Sequence, residues 1–335
     1  MIKRSLIGLT PEEIRVLAGS SISHAIVIAN YLYKKRLNDV ALVPDIPKKV
    51  KEELSKKSIP GIYGPVASGR SSDGTIKYLF RNESEQEFET VLLTEAKRIT
   101  VCVSSQSGCR MGCPFCVTGR YGFRGNLSVR DIITQVLGLP ASENVTHVVF
   151  MGMGEPMDNI ENVLKACKIL TAEWGLALSK RNITVSTVGI TPGIKYFLEE
   201  SDCNMALSLY SPFPEERYRI IPAEKKYHAH EIIQIMKSYR NSGKRRMSIA
   251  YIMISDINDS EKHLGGLKAL VTGTGIRINL IPYNPIPSDD NISSSNERMQ
   301  YFRHELVISG ISASIRKSKG IDVSAACGLL ASGLQ

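Results

Sequence analysis

Long hydrophobic runs are absent from this 335-residue sequence, which argues against a membrane-spanning chain. Uncharged stretches such as residues 20–33 are too short and too polar to cross a bilayer. Residues 1–4 lead into a helix start without the apolar region of a signal peptide, and neither short repeats nor low-complexity segments occur. We therefore expect a globular, cytoplasmic protein with no membrane partner.

The chain also lacks the even number of cysteines that is typical of a secreted domain held together by disulfides. The chain has seven cysteines, and three of them lie between Cys109 and Cys116. In a chain without a signal peptide, this clustering is typical of metal ligands and reactive thiols rather than of structural disulfides.

Acidic residues are the minority, with 33 Asp and Glu against 42 Lys and Arg and a net charge of +9. The first 60 residues carry 11 basic and 6 acidic residues, so more than half of the excess lies in less than a fifth of the chain. A positive field attracts polyanions, so the charge favours a nucleic-acid partner without proving one.

The first part of the chain predicts a small helical module. Thr10, Pro11 and Glu13 form an N-cap, a first-turn proline and a capping-box acid, and Gly19 is a stop signal. A second helix is predicted from about 21 to 35. A third helix is expected in the proline-flanked region that carries Lys48, Lys49, Lys51, Lys56 and Lys57.

The rest of the chain predicts an α/β fold. Residues 75–80 and 87–93 indicate an antiparallel pair. Apolar strand patterns then alternate with helical patterns near 128–139, 159–173, 192–200, 228–242 and 259–271. The six strands are expected at 99–103, 145–150, 182–187, 204–209, 247–253 and 276–281. Such a repeat forms a full or partial (βα) barrel or an open doubly wound sheet, with reactive groups at the carboxyl ends of the strands.

Cys109, Cys113 and Cys116 form a C-x-x-x-C-x-x-C pattern just after the first of these strands, with Gly108 and Gly112 allowing a tight loop. Three thiolates can hold three corners of a 4Fe-4S cluster and leave one iron open. Structural zinc sites use four protein ligands, and no fourth ligand follows at a suitable spacing. Zinc and three unliganded thiols are the weaker alternatives.

This spacing resembles the radical S-adenosylmethionine (SAM) superfamily, in which the amino-acid end of SAM chelates the open iron. One strand later, residues 151–156 read M-G-M-G-E-P and resemble the superfamily's G-G-E-P segment, which contacts the SAM amino group. A lone glycine pair would be an ordinary turn. After the cysteine cluster, it implies that Gly154 and Glu155 bind the cofactor.

From about residue 70 onward, C-V-S-S-Q-x-G-C-x-x-x-C-x-F-C-x-T-G, M-G-M-G-E-P, P-Y-N-P and A-A-C-G together resemble the RlmN/Cfr family of RNA methyltransferases. The resemblance implies a partial (βα)6 radical SAM barrel at 99–335. A β extension at 69–98 and an N-terminal accessory module at 1–68 precede it.

The resemblance also assigns roles to three residues outside the cluster. One SAM methylates Cys327, a second SAM supplies a radical, and Cys102 resolves the adduct by forming a disulfide with Cys327. Glu89 is the proposed proton acceptor. On residue type alone, Cys102 and Cys327 would be small buried hydrophobes and Glu89 an exposed strand acid; Cys167 and Cys203 keep that plain interpretation.

Further SAM contacts are implied for Ser186, Ser208, Tyr210 and Asn284, although Asn284 could simply make a turn. Phe115 is expected to shield the cluster or to pack in the core. The chain departs from the family at three places. Tyr210 replaces the family's usual histidine, Ala223 and Glu224 replace an isoleucine and an asparagine, and Leu329 replaces a glutamine.

The family's target is an adenosine of 23S rRNA, methylated at carbon 2 or carbon 8, and some members also accept tRNA. An electron donor such as flavodoxin or ferredoxin is implied as well. A base inside folded RNA must be unpaired or extruded and held through its phosphates. Candidate phosphate contacts are the N-terminal module, Lys225, Lys226, Lys244, Arg245, Arg246, Arg316, Lys317 and Lys319.

Two other functions are compatible with parts of the sequence. A radical SAM enzyme acting on a different RNA, a protein or a small molecule would keep the cluster, and one without an RNA target would not need the Cys102 and Cys327 pair. A non-catalytic RNA-binding protein with a structural metal would account for the positive charge and the three thiols alone.

Overall fold

A computed structural model describes residues 3–140, 142–240, 245–286 and 289–330. The chain begins with a short parallel strand pair and three helices, named in chain order β1 (Arg4–Ser5), α1 (Pro11–Ala18), α2 (Ile22–Tyr33), α3 (Lys48–Lys57) and β2 (Ser58–Ile59). The expected capping box starts α1, because Thr10 and Glu13 bond to each other's backbone amides. Gly19 ends this helix in the left-handed conformation.

The next elements extend the main sheet and carry the cysteine loop. They are β3 (Ala67–Arg70), β4 (Ile76–Arg81), β5 (Glu87–Glu95), β6 (Arg98–Val103), β7 (Gln106–Gly108), α4 (Val117–Tyr121) and β8 (Phe123–Asn126). Neighbouring strands from β3 to β6 are antiparallel, whereas β7 and β8, with the cysteine loop and α4 between them, form a separate antiparallel pair. The expected antiparallel pair is therefore present as β4 and β5.

Helices and parallel strands alternate through the remainder of the chain. They are α5 (Val129–Leu137), β9 (His147–Phe150), α6 (Ile160–Thr171), β10 (Ile183–Thr187), α7 (Thr191–Glu200), β11 (Asn204–Ser208), α8 (Pro214–Ile220), α9 (Ala229–Arg240), β12 (Met247–Met253), α10 (Glu261–Val271), β13 (Arg277–Pro282), α11 (Asn296–Ile308) and β14 (Ala313–Ile315).

The sheet has the order β14-β13-β12-β11-β10-β9-β6-β5-β4-β3. From β6 to β14 the strands are parallel and adjacent in chain order, without the reversal that defines a doubly wound sheet. This confirms the partial barrel of six parallel strands. The short strand β14 adds a seventh that the sequence patterns did not indicate.

The two faces of the parallel strands differ in side-chain size. One face packs large apolar residues under the helices, including the fully buried Val101, Val148, Val185, Leu207, Ile249 and Leu280. The other face lines the lumen of the open barrel with smaller or polar residues, including Cys102, Val149, Ser186, Ala206, Ser208, Ala250 and Asn279. Small side chains leave room for ligands inside the barrel.

The N-terminal helices share one apolar core with the barrel. Leu6, Ile14 and Ile28 are fully or almost fully buried in the same cluster as the barrel residues, and Lys165 on α6 forms a 2.7 Å ion pair with Glu13. Across the described ranges, no single helix is long and apolar enough to cross a membrane; α1 and α2 pass that test only as a pair bent by 115°. The division at residues 68 and 98 remains a prediction.

Candidate active site

The cysteine loop is shaped by a close backbone approach. Gly108 has φ of +72°, and a Cβ atom there would lie 1.7 Å from the carbonyl oxygen of Gly122. The Cys109 amide donates to that same carbonyl at 3.0 Å, and the Cys116 amide donates to the Cys113 carbonyl at 3.1 Å. The expected role of Gly108 in a tight loop thus has a steric cause, because any larger residue would open the turn.

Cys109, Cys113 and Cys116 all line one cavity at the carboxyl ends of the barrel strands. Burial raises the pKa of Cys109 to about 12 and also raises that of Cys113, and the charge of Cys116 raises both further. Three such thiolates repel one another unless a positively charged group binds between them.

The arrangement of these thiols bears on the zinc alternative. Within the described ranges, no three His, Cys, Asp or Glu side chains are placed to hold one metal ion. A 4Fe-4S cluster is larger than one ion and binds one thiolate at each of three corners. The donor set therefore fits a cluster with one open iron better than zinc.

The cavity continues from the cysteine loop into the part of the lumen nearest the carboxyl ends of the strands. Its empty space, including the part open to solvent, is ≈ 990 Å³. The cofactor-binding residues expected from the sequence that line it are Gly154, Glu155, Ser186, Ser208 and Tyr210. Asn284 is not among the lining residues.

Glu155 is a buried carboxylate with a defined orientation. Its Oε1 accepts the Met157 amide at 3.0 Å, and its Oε2 accepts the Val188 amide at 2.9 Å. Burial raises the pKa of Glu155 to about 7, although these hydrogen bonds oppose that shift. A cationic amino group in the cavity would favour the ionised form, which agrees with the expected contact to the SAM amino group.

Gln106 holds the segment that carries Glu155. Its Oε1 accepts the Glu155 amide at 2.9 Å, and its Nε2 donates to Asp158 at 2.7 Å. Gly154 has φ of +96°, and a Cβ there would lie 2.5 Å from the Gln106 side chain. We missed this role, although Gln106 stands within the C-V-S-S-Q motif.

The opposite wall of the cavity is aromatic. Tyr210 has a left-handed φ of +66° and its ring stacks on Phe115 with centroids 6.1 Å apart. Phe115 follows Cys113 in the cysteine loop, so the stack joins this loop to the end of β11. The departure from the family's histidine therefore places a phenol against the cluster loop and lines the ligand cavity.

A fully buried arginine supports the same strand ends. Arg217 donates to the carbonyl oxygens of Val188, Ser208 and Leu209, and its charge is paired with Glu224. Glu224 also accepts the Ala229 amide at 3.0 Å. The substitution of glutamate for the usual asparagine thus supplies a carboxylate to a buried guanidinium, a role that residue spacing does not indicate.

The C-terminal segment brings Cys327 into the cavity. The Val117 amide donates to the Gly328 carbonyl at 2.8 Å, and the Thr118 hydroxyl donates to the Leu330 carbonyl at 2.6 Å. The Asn284 amide donates to the Cys327 carbonyl at 3.1 Å, so Asn284 contacts the tail instead of lining the cavity.

The Cys327 thiol is open to the cavity but largely surrounded by protein. This burial raises its pKa, and the neighbouring charge of Cys116 raises it further. Leu329, the third departure from the family, is buried against Ala326 and Ile286. It anchors the tail and is not a lining residue.

Cys102 lies on β6, opposite Val91 of β5 and Val149 of β9, on the lumen face. Burial raises its pKa to about 12, and the charge of Cys327 contributes to this shift. The two cysteines are thus electrostatic neighbours although 225 positions separate them in the sequence. Neither is in a disulfide.

Glu89 is fully buried on β5, which rules out the exposed strand acid that residue type alone suggested. Its Oε1 lies 3.2 Å from the ammonium nitrogen of Lys77, which is also buried. Because residues two apart share a strand face, Glu89 lies on the same face as Val91 and Cys102. It does not line the cavity.

The remaining cysteines lie outside this site. Cys167 on α6 and Cys203 before β11 are buried and hydrogen-bonded to each other, and neither lines the cavity. Their plain interpretation as small buried residues is therefore confirmed.

Comparisons with known proteins agree with this geometry. Residues 103–264 match the Radical SAM superfamily. The "Probable dual-specificity RNA methyltransferase RlmN" of Parabacteroides distasonis is 42% identical over 98% of this chain and 96% of its own length. The protein of that name from Bacteroides fragilis is 40% identical over 100% and 98%. A radical SAM methyltransferase from Sphaerobacter thermophilus, solved as a crystal structure, has a TM-score of 0.89 at 34% identity, covering 98% of this chain and 100% of its own.

These identities extend over nearly the whole chain, including the N-terminal module that the sequence motifs did not cover. They rule out a non-catalytic RNA-binding protein. The cofactors are those of the superfamily, one 4Fe-4S cluster and SAM. The chain therefore belongs to the RlmN family of radical SAM, SAM-dependent methyltransferases.

Proposed function

We propose that this enzyme methylates a ring carbon of adenine, carbon 2 or carbon 8, in RNA and that the methyl group passes through Cys327. The observation that carries the proposal is the placement of Cys327 between the cysteine loop and Cys102. Cys327 lines the same cavity as the three cluster cysteines, and its charge shifts the pKa of Cys102.

Adenine ring carbons are electron-poor and do not attack a SAM methyl group as nucleophiles. Bound at the three thiolates, the cluster and SAM supply a radical that can remove a hydrogen atom from a methyl group. Cys109, Cys113 and Cys116 would hold the cluster, while Glu155 would orient the SAM amino group. Cys327 would present its methyl group from the tail that Val117, Thr118 and Asn284 hold in place.

Cys102 would complete the transfer. Addition of the methylene radical to the base leaves an unpaired electron on the ring, and this electron would pass to a one-electron acceptor, a role that the oxidised cluster held by Cys109, Cys113 and Cys116 would supply. Cys102, as a thiolate, would then remove the proton from the substituted ring carbon and pass it on to a nearby base. Ionised again, Cys102 would attack the Cys327 sulfur. A disulfide forms, the carbon–sulfur bond breaks with its electron pair on carbon, and that carbon takes a proton to become the methyl group. A two-electron donor must later reduce the disulfide.

Glu89 would accept a proton from this region. It lies on the strand face of Cys102, and the adjacent Lys77 ammonium stabilises the carboxylate. A pKa of about 12 keeps Cys102 protonated at neutral pH, so a nearby base would assist its ionisation. The proposed catalytic set is therefore Cys327, Cys102 and Glu89.

We further propose 23S rRNA as the substrate, with tRNA as a second candidate, and flavodoxin or ferredoxin as the electron donor in the cytoplasm. The names of the two relatives specify RNA, and the net charge of +9 favours a polyanion. Among the expected phosphate contacts, Lys225 and Lys226 are exposed, whereas Arg245 donates to the Leu198 carbonyl. Lys244 lies outside the described residues.

The test is anaerobic reconstitution with iron, sulfide, SAM, reductant and total RNA, followed by nucleoside mass spectrometry. We expect a methyladenosine that the Cys327→Ala variant reduces roughly 1000-fold or more, because the methyl carrier is lost. The matched control is Cys167→Ala, a cysteine that does not line the cavity, and it should retain the product.

Full methylation by Cys327→Ala would contradict the proposal. Release of 5′-deoxyadenosine without any methylated nucleoside would remove RNA as the substrate and leave the radical chemistry in place.

A further inference from the structure

The barrel lumen carries three arginines that the chemistry described above does not use. Arg98 begins β6 and shares the lumen face with Cys102, four residues further along the strand. Arg246 immediately precedes β12 and shares the face of Ser248, because the Met205 amide bonds to the Arg246 carbonyl and continues the ladder. Both belong to the amino-terminal end of the barrel.

Arg316 enters the lumen from the edge strand. Ser314 pairs with Asn279 on the lumen face, and the Arg316 amide donates to the Leu280 carbonyl at 2.8 Å, so Arg316 continues on that face. It lies nearer the carboxyl ends of the strands than Arg98 and Arg246 do. The three arginines therefore extend from the amino-terminal mouth of the lumen toward the cavity.

The electrostatic effects among these side chains agree with their placement on one face of the sheet. Burial lowers the pKa of Arg316, and the charges of Arg98 and Arg246 lower it further. The same two arginines lower the pKa of His147, the first residue of β9 on the lumen face. The charge of Cys327 raises the pKa of Arg316, so the three arginines extend as far as the proposed methyl carrier.

One acid, Glu95, acts on these three arginines, which leaves most of their charge without a counter-ion. Glu95 is the cross-strand partner of Arg98 and interacts with both Arg98 and Arg316, but its carboxylate is paired with Lys319 at 2.9 Å. In the described parts of the chain, no carboxylate oxygen lies within 4 Å of the guanidinium nitrogens of Arg98, Arg246 or Arg316. All three arginines keep a substantial part of their surface exposed to solvent, although Arg316 is also partly surrounded by protein.

Three arginines that share a single acid, which is itself paired with Lys319, predict an anionic ligand. Planar guanidinium groups recognise phosphate through paired hydrogen bonds, and a phosphodiester backbone offers one charge per nucleotide. Arg316, the arginine nearest the carboxyl ends of the strands, interacts electrostatically with Cys327, and the proposed function places the base at Cys327. A phosphate in the lumen would thus belong to the same nucleotide or to its neighbour.

We propose that Arg98, Arg246 and Arg316 form a phosphodiester-binding site that holds the RNA backbone beside the reacting nucleotide. The inference rests on the proposed function and adds the direction of entry. The RNA comes through the amino-terminal side of the open barrel, so that the base meets Cys327 from the face opposite the cysteine loop.

The test compares two charge-matched triple variants of the full, reconstituted protein. One is Arg98→Gln, Arg246→Gln and Arg316→Gln. The control is Lys195→Gln, Lys237→Gln and Arg303→Gln, which removes three exposed charges from the outer helices α7, α9 and α11. The probe is a labelled single-stranded oligoribonucleotide with one adenosine among uridines, titrated at several salt concentrations.

We expect the lumen variant to bind the probe at least about tenfold more weakly than the wild type, with a salt dependence whose slope is smaller by about 2. The control variant should stay within about twofold of the wild type. Equal affinity and slope in the two variants would overturn the site. Iron content, circular dichroism and SAM cleavage without RNA show whether the lumen variant folds and loads its cofactors.

A second probe carries neutral methylphosphonate linkages on both sides of the adenosine. The wild type should lose affinity for it, and the lumen variant should lose little more, because the two changes remove the same contact. Equal losses in both proteins would contradict contact with these phosphates. Absence of methyladenosine from the wild-type reaction would overturn the proposed function. The binding measurements test the role of the three arginines independently of that result.

Discussion

The two ends of the barrel lumen are built in different ways. At the carboxyl end, charged groups such as Glu155 and Arg217 are buried and held by several hydrogen bonds each. Arg98 and Arg246 at the amino-terminal end, and Arg316 nearer the cavity, are instead exposed, and none has a carboxylate oxygen within 4 Å among the described residues. The first arrangement suits the precise positioning of cofactors, and the second suits capture of a large, flexible polyanion.

The lumen also differs from the N-terminal module, where the sequence concentrates its positive charge, in how many positive side chains are paired with acids. On α3, Lys48 pairs with Glu52, while Lys56 and Lys57 pair with Glu53. Three of the five lysines of this helix are therefore paired with its two glutamates. A local excess of lysine thus says less about RNA contact than the number of positive groups that lack a counter-ion.

The largest effect that sharpens this comparison is expected for Glu155→Gln. Losing the carboxylate should weaken SAM binding roughly 10- to 100-fold, because a charge-assisted contact to the amino group disappears. RNA affinity should not change, since Glu155 belongs to the carboxyl end alone. Calorimetric titration of SAM into the reconstituted protein measures the effect, with Glu161→Gln on α6 as an exposed control.

The same variant tests the titration of Glu155. Because its pKa is raised to about 7 and the ionised form is the one that attracts an ammonium group, SAM binding by the wild type should weaken as pH falls from 8 to 6. The Glu155→Gln variant should lack this component. A parallel pH dependence in both proteins would remove Glu155 from cofactor binding.

A smaller effect is expected in the N-terminal module. Lys34, Lys35 and Lys49 are exposed and not among the lysines paired with α3 acids. Changing all three to glutamine should weaken RNA binding by only about two- to threefold, because exposed, flexible lysines contribute little each. Filter binding at two salt concentrations measures this. A loss as large as that of the lumen variant would reverse the comparison and make the module the principal RNA contact.

Point substitutions suit this module better than removal of residues 1–60. Leu6, Ile14 and Ile28 belong to the apolar core that the barrel shares, so truncation would expose that core. Weaker RNA binding after truncation would then not separate lost contacts from lost folding.

Much of the barrel could be predicted because its signals are local. Alternation of apolar strands and amphipathic helices identified all six parallel strands, and Thr10 and Glu13 identified the start of α1. Residues at the carboxyl end of the lumen could also be predicted from the sequence, because they stand in short motifs that each cover one loop. These residues are Cys109, Cys113, Cys116, Gly154 and Glu155.

The remainder depends on contacts between distant residues. Arg98 begins β6, Arg246 precedes β12 and Arg316 follows β14, and only the sheet register brings them to one face. Asn284 occurs in a cofactor-like motif, yet its amide binds the tail carbonyl at Cys327. The roles of Gln106 and Glu224 likewise follow from hydrogen bonds that cross between elements.

The most direct test of the central claim is the fate of RNA in a Cys102→Ala variant. If Cys102 frees the base from Cys327, this variant should stop with RNA covalently attached to Cys327, because the carbon–sulfur bond cannot be broken. Denaturing gel electrophoresis with labelled RNA, followed by peptide mass spectrometry, detects that adduct. We expect a protein–RNA species that is absent from the Cys102→Ala, Cys327→Ala double variant. Free methylated RNA released at the wild-type rate would contradict the account.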